Sequence, residues 1–503
     1  MLKKNYLNFF LFPSFLLGFC FFNSNFSRSE TNIVKTYFEA KYPIPLKSKD
    51  DFLLIGLEPY LGNYKKQLIL KSPGLITLKD SSGIIHKSSN IKIIWLDVPI
   101  ENSFNVKRKV AGPFSSFESA RQFQLNLQKI EIDSFIARPK DWEVWIPINQ
   151  TVPNQKEFNV FAKKISYLSS PYLVNRKKVI KLSGPINFEA KSGLAWKDGI
   201  YNGVFLLKRD SYGSWTFIEK IQMPRYLEGV VPHEIGSNSP SNALAAQTIL
   251  ARTWAIANQS RFKIDGYHLC DSVQCQVYKR KYPPSTSIKS AIKQTKGIVI
   301  KWRGEPINAV YHATNGGVSA SIAEAWEVDP QPYLLTKLDG NSKWRKSHQV
   351  PLLTPQKVQN ILMDNDGAYG KNHYLFRWNK NITEEELKSY FQLAQKDIKF
   401  PVKIKIEERG KSGRVVKLKI ISLIDKKILI LEKGEIRKIL KKLPSTLFII
   451  KNSSPKNWEF YGGGFGHGVG MSQAGAIEMA ENGWSVNQIL NHYYPGTEID
   501  SLP

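Results

Sequence analysis

Cysteine is scarce in this sequence, which has three Cys among 503 residues. Cys20 lies in an N-terminal apolar segment, so Cys270 and Cys275 are the pair that remains beyond it. Cysteines at this spacing can close one small disulfide loop, or they can join the nearby His268 in holding a zinc ion. A single pair excludes a framework of several disulfides, so buried apolar side chains must stabilise the fold.

Acidic residues are also few relative to basic ones. Lys and Arg total 71 against 43 Asp and Glu, which gives a formal net charge of +28. This surplus favours anionic partners such as cell-wall polymers or lipid headgroups. The basic residues are spread along the whole chain, and the sequence has neither an aromatic and basic RNA-binding motif nor zinc-finger spacing. No nucleic-acid partner is therefore predicted.

Long apolar runs are absent after the first residues. Lys3 and Lys4 precede an apolar run from Phe9 to Phe22, and small polar residues follow it. This pattern is typical of a signal peptide, and the run is shorter than the ~20 apolar residues that a membrane span needs. We expect residues 1–27 to be a signal peptide or an N-terminal anchor. The protein is predicted to be exported to the periplasm or cell wall, with membrane contact only through that segment if it stays uncleaved.

The length predicts two or three domains, because single domains seldom exceed ~200 residues. Short strands separated by turn signals at Pro73-Gly74 and Ser82-Gly83 predict a β-rich module over residues 28–105. Residues 106–150 show a strand, turn, helix, strand order, in which the apolar helix positions are Phe117, Ala120, Phe123 or Gln124, and Leu127. This segment resembles one half of a SPOR repeat, a glycan-binding module, and an ordinary βαβ packing unit fits the same pattern. The predicted fold class is α+β, a mixed multi-domain protein.

The next segment places an acidic residue between two predicted elements. Strand-like runs recur from Val179 to Ile221, and the residues from Tyr226 to Pro232 are interpreted as a further strand. A helix is predicted from about Ser241 to Gln259, with Pro240 in its first turn. Glu234 then lies in a loop at a strand end, where side chains often face a cleft.

Two segments partly match known motifs but lack residues that those motifs require. His233 and Glu234 do not form a zinc-peptidase motif, because Ser237 stands where His-Glu-x-x-His needs its second His. A glycine-rich segment from Tyr461 to Gln473 surrounds His467, and glycine at this density lets the backbone approach a ligand or another segment closely. It lacks the Gly-Lys-Ser/Thr ending of a phosphate loop and the strand-to-helix context of a dinucleotide fold.

Taken in chain order, the motifs resemble those of the SpoIID/LytB family, and the resemblance covers roughly residues 176–503. The matching residues are Tyr226-Leu227-x-Gly229-Val230-Val231-Pro232-x-Glu234, Ala243-Leu244-x-Ala246-Gln247-x-x-x-Ala251-Arg252-Thr253, Cys270-Asp271-x-x-x-Cys275-Gln276-Val277-Tyr278, Tyr311-His312-x-x-x-Gly316-Gly317, Gly464-x-Gly466-His467-Gly468-Val469-Gly470-Met471-Ser472-Gln473 and Tyr493-Tyr494-Pro495-Gly496-Thr497. Weaker matches are Ser412-Gly413-Arg414-Val415, Ile436-Arg437 and Leu443-Pro444-Ser445-Thr446.

The resemblance implies an α/β catalytic core over residues 176–503 and a lytic transglycosylase that cleaves peptidoglycan glycan strands, those lacking stem peptides, to 1,6-anhydro-muramic ends. It carries the role of catalytic acid and base over to Glu234. No cofactor is required by this reaction. Loop cysteines with histidines hold zinc in some members, but Gln274 stands here where a His commonly precedes the second Cys, so zinc and the Cys270–Cys275 disulfide both stay open. We assign substrate positioning to Gln247, Arg252, Tyr311, His312, His467, Ser472 and Gln473.

Proton donation by Glu234 near neutral pH needs a carboxyl pKa raised from about 4.3 towards ~6. We expect Val230, Val231 and Ile235 to supply the apolar surroundings that raise it. A cation beside the acid would lower its pKa, so Arg252 and His467 are expected near the substrate and away from the carboxyl group.

Two other functions fit the sequence. The first is a non-catalytic protein that binds peptidoglycan and enhances a cell-wall amidase, as the amidase-enhancer members of the family suggest. The second is a hydrolase, which needs a second carboxylate near Glu234, such as Asp271 or Glu324. Whether Glu234 matters for function separates the binding protein from the two enzymes.

Overall fold

A large sheet forms the first half of the described chain. The computed structural model describes residues 42–48, 50–153, 157–454 and 456–502. Within these ranges thirteen strands join the sheet. They are β1 (Phe52–Leu61), β2 (Gln67–Lys79), β3 (Ile85–Phe114), β4 (Phe135–Ala137), β5 (Trp142–Pro147), β6 (Asn159–Asn175), β7 (Lys178–Lys181), β8 (Ile186–Ala190), β9 (Leu194–Trp196), β10 (Gly199–Tyr201), β11 (Val204–Arg209), β12 (Trp215–Gln222) and β13 (Leu269–Cys270).

The strands follow the order β13-β1-β12-β11-β8-β2-β3-β5-β4, with β6 and β7 extending from β3 and with β9 and β10 extending from β2. Neighbours pair antiparallel, except that β13 lies parallel to β1. Alternate side chains of a strand face opposite sides of a sheet, so β1 can bury Leu53, Ile55 and Leu57 on one face. That face forms the main hydrophobic core.

Helices α1 (Phe117–Gln128) and α2 (Met223–Glu234) pack on this sheet, and α3 (Ser241–Ala257) and α4 (Thr286–Gln294) pack against α2. Helix α2 covers the face that holds Leu53 and Ile55, and α3 extends the same hydrophobic core behind it. On the opposite face Ile218 of β12 packs in a second cluster with Phe117 of α1 and with Trp142 of β5. Hydrophobic clusters therefore pack on both faces of the sheet and hold α1 and α2 against it.

The helix predicted from Phe117 is confirmed as α1. The Ser116 hydroxyl accepts a hydrogen bond from the Ser119 N–H and caps the first turn. Of the two alternatives for the third apolar position, Gln124 is buried, and its amide donates to the Ser134 carbonyl at 2.7 Å. Phe123 lies at the half-buried edge of the helix and contacts Phe114 and Phe158.

The strand predicted from Tyr226 to Pro232 is wrong, because these residues belong to helix α2. The buried side chains Tyr226, Leu227, Val230 and Val231 recur at helical spacing, and Pro224 occupies the first turn. Aromatic and β-branched residues favour strands in isolation, but burial of one face against the sheet decides the local structure. Glu234 is consequently the last residue of a helix instead of part of a loop.

The helix predicted from Ser241 is confirmed as α3, which ends at Ala257. Every residue of α3 from Ala243 to Ile256 is buried, because α2, α4 and two later helices surround it. Small alanine side chains let these neighbours approach closely. This central helix supports the segments that carry the site described below.

The second half of the described chain contains shorter elements. The elements are β14 (Ile298–Trp302), β15 (Glu305–Pro306), β16 (Tyr311–His312), β17 (Val318–Ser319), α5 (Ile322–Ala325), β18 (Lys337–Leu338), α6 (Ser342–Ser347), α7 (Pro355–Met363), β19 (Arg377–Thr383), α8 (Glu384–Leu393), β20 (Val402–Arg409), β21 (Val415–Ser422), β22 (Ile428–Glu432), α9 (Gly434–Ile439), β23 (Phe448–Ser454), β24 (Asn457–Gly463), β25 (Met471–Ser472), α10 (Gln473–Glu481), α11 (Val486–Tyr493) and β26 (Glu498–Ser501).

These strands form small sheets with the orders β15-β14-β26, β16-β25, β17-β18, β19-β24-β23 and β20-β21-β22. Trp378, Leu418 and Phe460 belong to a separate hydrophobic cluster beneath the last two of these sheets. The parallel pair β16-β25 aligns Tyr311 with Met471 and His312 with Ser472. This pair joins two motifs that lie far apart in the sequence.

The mixture of sheets and helices confirms the predicted α+β class. Strand β3 crosses the boundary predicted between residues 105 and 106, and β12 of the predicted catalytic core pairs with β1 of the predicted β-rich module. The three predicted segments therefore share one sheet, and their division into domains stays a prediction. Residues 1–27 lie outside the described residues. No helix among the described residues is long and apolar enough to span a membrane.

Candidate active site

A cleft of about 460 Å³ lies at the C-terminal end of α2. It brings together residues from α1, α2, α3, the loop after β13, the β16 region, α9 and the glycine-rich segment. Its lining residues are Ser115, Ser116, Phe117, Glu118, Glu234, Trp254, Arg261, Val273, Gln274, Cys275, Gln276, Val277, Val310, Tyr311, His312, Ala313, Trp326, Arg437, Phe465, Gly466 and His467. Of the eight residues predicted to act on or position the substrate, the cleft contains Glu234, Tyr311, His312 and His467.

Glu234 projects from the last turn of α2 as a half-buried carboxyl group. The Val277 N–H donates to its Oε1 atom at 2.9 Å, and the Tyr311 hydroxyl donates a second hydrogen bond. Burial raises the pKa of Glu234 above its usual value, and the two hydrogen bonds oppose that rise. The raised pKa agrees with the expectation from the sequence.

The apolar surroundings of Glu234 differ from those expected. Val230 and Val231 point into the main hydrophobic core between α2 and the sheet. The cleft wall instead includes Trp254, Val277 and Val310. Because these residues follow α2 in the sequence, the pattern around Glu234 alone does not reveal them.

Gly229 explains how the Val277 N–H reaches the acid. A Cβ atom at Gly229 would lie 2.5 Å from the Tyr278 ring, so the absence of a side chain lets the 276–279 segment lie against α2. The Lys279 N–H donates to the Gly229 carbonyl at 3.1 Å. Tyr278 is buried, and its hydroxyl donates to Glu219 at 2.8 Å. These contacts hold the backbone beside Glu234.

A chain of hydrogen bonds orients the Tyr311 hydroxyl. The Tyr226 hydroxyl donates to the Gln276 side-chain oxygen at 3.0 Å, and the Gln276 amide donates to the Tyr311 oxygen at 2.9 Å. The same amide also donates to the Ala251 carbonyl, which fixes which end of Gln276 carries the hydrogens. The Tyr311 oxygen thus accepts from Gln276, which leaves its own proton available for Glu234. Burial raises the pKa of Tyr311 well above its usual value, so it keeps that proton.

His312 presents an unused acceptor to the cleft. Its Nδ1–H donates to the Val469 carbonyl at 3.0 Å, because a carbonyl oxygen can only accept. Its Nε2 atom is buried and has no hydrogen-bond partner within the described part of the chain. Burial and the nearby His467 and Arg414 hold the pKa of His312 well below its usual value, so the ring is neutral. Nε2 is therefore an unpaired acceptor in the wall of the cleft.

His467 has a different role, since both of its ring nitrogens are used. Its Nε2–H donates to the Tyr311 carbonyl at 3.0 Å, and its Nδ1 accepts from the Val469 N–H at 3.1 Å. Burial lowers the pKa of His467 to about 3. The ring packs against Trp326, with ring centroids 4.8 Å apart. His467 thus shapes the cleft wall and has no free nitrogen for a ligand.

The glycine-rich segment lies directly against the strand that carries Tyr311 and His312. Gly466 and Gly470 have positive φ angles of 115° and 73°. A Cβ atom at Gly466 would lie 2.7 Å from the His312 Cβ, and one at Gly470 would lie 1.9 Å from the Val310 carbonyl oxygen. The glycines therefore serve close approach between two backbone segments instead of binding a phosphate.

Four residues predicted to position the substrate lie outside the cleft lining. Gln247 and Gln473 are buried, and the Gln473 amide donates to the Gln247 oxygen at 3.2 Å. The Ser472 hydroxyl accepts from the Gly475 N–H and caps α10. Arg252 donates to the Ile298 carbonyl at 3.0 Å and lines a separate depression beside Leu502. The structure gives these residues roles in packing, so their assignment to the substrate does not follow from the geometry.

Cys270 and Cys275 form a disulfide, the first of the two alternatives that their spacing left open. His268 is engaged elsewhere, since its Nδ1 accepts from the Leu54 N–H at 2.9 Å and its Nε2–H donates to the Ile44 carbonyl at 2.8 Å. Among the described residues no three His, Cys, Asp or Glu side chains are arranged to hold a metal ion. The three proposed ligands therefore do not fit a zinc site here. The disulfide instead anchors the loop that precedes Val277.

The second carboxylates considered for a hydrolase also lie elsewhere. Asp271 pairs with Lys197. Glu324 accepts hydrogen bonds from the Ser321, Thr336 and Ser412 hydroxyls and contributes to the N-terminal cap of α5. The acid that does share the cleft with Glu234 is Glu118, which forms an ion pair with Arg261.

Sequence reasoning missed several cleft residues because they come from separate parts of the fold. Phe117 and Glu118 lie before the part of the chain that resembles the family, and Trp326 belongs to none of the matching motifs. Arg437 belongs to the short Ile436-Arg437 match, which was the one available signal for it. The aromatic residues Phe117, Trp254, Trp326 and Phe465 together give the cleft apolar surfaces on which sugar rings can stack.

The fold and the cleft define a mixed α+β protein in which one carboxyl group with a raised pKa can give and take a proton beside aromatic walls. Comparison with known proteins agrees with the motifs. Residues 211–302 match the family model described as stage II sporulation protein, and residues 320–470 match a domain of unknown function.

Stage II sporulation protein D of Bacillus amyloliquefaciens is 30% identical over 304 residues, which cover 56% of this chain and 75% of that protein. The amidase enhancer of Bacillus subtilis is 29% identical over 299 residues, which cover 55% of this chain and 40% of that protein. Stage II sporulation protein D of Bacillus subtilis is 28% identical over 308 residues, covering 56% and 75%. The chain thus matches less than half the length of the amidase enhancer. The chain belongs to the SpoIID/LytB family, as the ordered motifs predicted.

Proposed function

We propose that the protein is an exported lytic transglycosylase that cleaves peptidoglycan glycan strands, with Glu234 as its acid and base. The single observation that carries this proposal is the state of Glu234 in the cleft. Its pKa is raised by burial, and its hydrogen-bond donors are a backbone N–H and a neutral tyrosine instead of a cation. Such a carboxyl group keeps its proton to higher pH than an exposed one and can still release it.

In the proposed reaction Glu234 donates its proton to the glycosidic oxygen between a muramoyl residue and the next sugar. The glycosidic bond breaks while the muramoyl ring passes through an oxocarbenium-like state. The resulting carboxylate accepts hydrogen bonds from Val277 and Tyr311, which stabilise its charge. It then takes the proton of the muramoyl 6-hydroxyl as that oxygen closes the 1,6-anhydro ring. Glu234 ends the cycle protonated, and no water is consumed.

The remaining cleft residues support binding of a glycan strand. The free Nε2 atom of His312 can accept from a sugar hydroxyl or an acetamido N–H. Trp326 and Phe465 offer faces to sugar rings. The net charge of +28 favours the anionic cell wall. Export through the N-terminal segment would bring the protein to this substrate.

A second candidate function is a non-catalytic wall-binding protein that enhances an amidase. The similarity to a protein named amidase enhancer favours it. In that case the cleft would bind glycan, and the protonation state of Glu234 would be irrelevant to function. A cell-wall amidase would then be the partner protein.

Product analysis separates these functions. Purified protein would be incubated with intact peptidoglycan and with amidase-treated peptidoglycan, and the glycan fragments would be identified by mass spectrometry. We expect new 1,6-anhydro-muramic ends, more of them from the amidase-treated material. Binding to the wall without any new ends would contradict the enzymatic proposal and support the amidase enhancer.

Substitution Tyr311→Phe should move the pH dependence of cleavage. The reaction needs protonated Glu234, so activity is present at low pH and is lost as the pH rises through the pKa of Glu234. The Tyr311 hydrogen bond lowers that pKa, and its removal should raise it. The alkaline limb of the activity profile should therefore move to higher pH, as a series of rate measurements across pH would reveal. An alkaline limb that stays in place or moves to lower pH would contradict this role of Tyr311.

A further inference from the structure

Arg437 is a cation in the cleft that forms no ion pair within the described part of the chain. It projects from α9, lines the same cleft as Glu234, and its Nε atom is buried without a hydrogen-bond partner among the described residues. The other cleft arginine, Arg261, is neutralised by its ion pair with Glu118. Leaving a buried charged donor unsatisfied is unfavourable, so Arg437 is poised to gain from an incoming anion.

The charge of Arg437 affects His312 and His467 in the cleft wall, and it does not contribute to the pKa of Glu234. Arg437 lines the same cleft as His312 and His467, and its charge adds to the burial that lowers the pKa of both rings. The pKa of Glu234 is set by burial, Val277 and Tyr311. An anion held by Arg437 would therefore bind at a position next to His312 and apart from the proton transfer at Glu234. The sequence predicted such a position, near the substrate and away from the acid, for Arg252.

We propose that Arg437 binds a carboxylate of the substrate, namely the free lactyl carboxylate of a muramoyl residue from which the stem peptide has been removed. This inference rests on the proposed function, because it takes the cleft ligand to be peptidoglycan glycan. The N-acetyl and hydroxyl groups of the strand are neutral. The lactyl group is an amide when a stem peptide is attached and a carboxylate when it is not. A guanidinium group is suited to bind that carboxylate through two parallel hydrogen bonds.

Arg437 would thus make the protein act after an amidase. An attached peptide removes the charge that Arg437 needs and adds bulk in a cleft of about 460 Å³. The step that supplies this substrate is hydrolysis of the amide bond between the lactyl group and the peptide. The preference for glycan from which the stem peptides have been removed, called stripped glycan below, would then depend on one side chain.

The test compares two forms of the same stripped glycan. In one form the lactyl carboxylates are free, and in the other they are coupled to methylamine, which gives a neutral methylamide without a peptide. Binding constants and rates of anhydro-end formation would be measured with the purified full chain. We expect the wild type to prefer the carboxylate form by about 10-fold to 100-fold, the range for a charged hydrogen-bonded contact.

The Arg437→Gln variant should bind and cleave the carboxylate form no better than the methylamide form, so its preference between the two forms should fall to about one. Arg437→Lys should keep part of the preference, because the charge remains. Lys438→Gln is the matched control, since Lys438 lies on the same helix and pairs with Asp141 at 3.2 Å. That variant should retain the full preference.

Equal performance of the wild type on both glycan forms would overturn the inference, whatever the variants do. So would an Arg437→Gln variant that loses both forms alike while its thermal unfolding matches the wild type. If the wild type produces no anhydro ends but binds the carboxylate form preferentially through Arg437, the catalytic proposal fails and this inference stands. If Arg437→Gln does not fold, the wild-type comparison and Arg437→Lys decide.

Discussion

Substitution Glu234→Gln should lower the rate of anhydro-end formation by roughly two to four orders of magnitude, the contribution of a positioned general acid and base. Glutamine can accept the Val277 N–H through its side-chain oxygen, but it has no proton of suitable acidity to give to the glycosidic oxygen. Binding of glycan should persist, because the aromatic walls, His312 and Arg437 are unchanged. The measurement is the initial rate of anhydro-muramic ends on stripped glycan, beside a binding assay.

The fold of Glu234→Gln should be intact. A carboxyl group whose pKa is raised in the folded state contributes stability at low pH that is lost as the pH rises through that pKa. Glutamine does not ionise, so the variant does not lose stability as the pH rises. Its melting temperature above neutral pH should therefore equal or exceed that of the wild type. Glu228→Gln makes the same change on the same helix, where Glu228 pairs with Arg225 and Arg280. Cleavage by Glu228→Gln should continue, and equal losses in the two variants would contradict a special role for Glu234.

Substitution Gly470→Ala should reduce the free energy of unfolding by roughly 2–5 kcal/mol, the combined cost of a strained backbone and of overpacking. The φ angle of Gly470 is 73°, and its added Cβ would lie 1.9 Å from the Val310 carbonyl oxygen. The backbone cannot yield there without moving the strand that carries Tyr311 and His312. Denaturant unfolding of the variant would measure the loss.

Gly483→Ala is the matched control for Gly470→Ala. Gly483 has a similar φ angle of 79°, and a Cβ atom at that position would meet nothing within 4 Å. Its substitution should therefore cost about 1–2 kcal/mol from the backbone conformation alone. A loss at Gly470 no larger than that at Gly483 would contradict the view that the glycine-rich segment exists for close backbone approach.

The sequence predicted those parts of the fold in which local pattern and tertiary packing agree. Helices α1 and α3 have apolar faces at helical spacing, and both form where expected. Helix α2 was predicted as a strand, because Tyr226, Val230 and Val231 favour strands in isolation. Its helical state follows from contacts with the sheet and α3, which are not visible in a local window.

The residues of the candidate site could be predicted where they belong to recognisable motifs. Glu234, the pair Tyr311-His312 and His467 come from three separate motifs, and the structure brings them to one cleft. Arg252 belongs to the same set of motifs but lies outside the cleft, where it donates to the Ile298 carbonyl. Motifs thus contain residues that stabilise the fold as well as residues of the site. Trp326 lies outside these motifs, and the short Ile436-Arg437 match does not show that Arg437 faces the cleft. Tertiary packing brings both residues there and leaves the Arg437 Nε atom without a hydrogen-bond partner among the described residues.

The central claim is that Glu234 acts alone and that no water enters the reaction. The most direct test is cleavage of stripped glycan in water labelled with heavy oxygen, followed by mass spectrometry of the new muramoyl ends. We predict 1,6-anhydro ends that contain no heavy oxygen and that are absent from the Glu234→Gln reaction. Reducing ends that carry one heavy oxygen atom would contradict the claim, because they would show that water attacks the sugar and that the protein is a hydrolase.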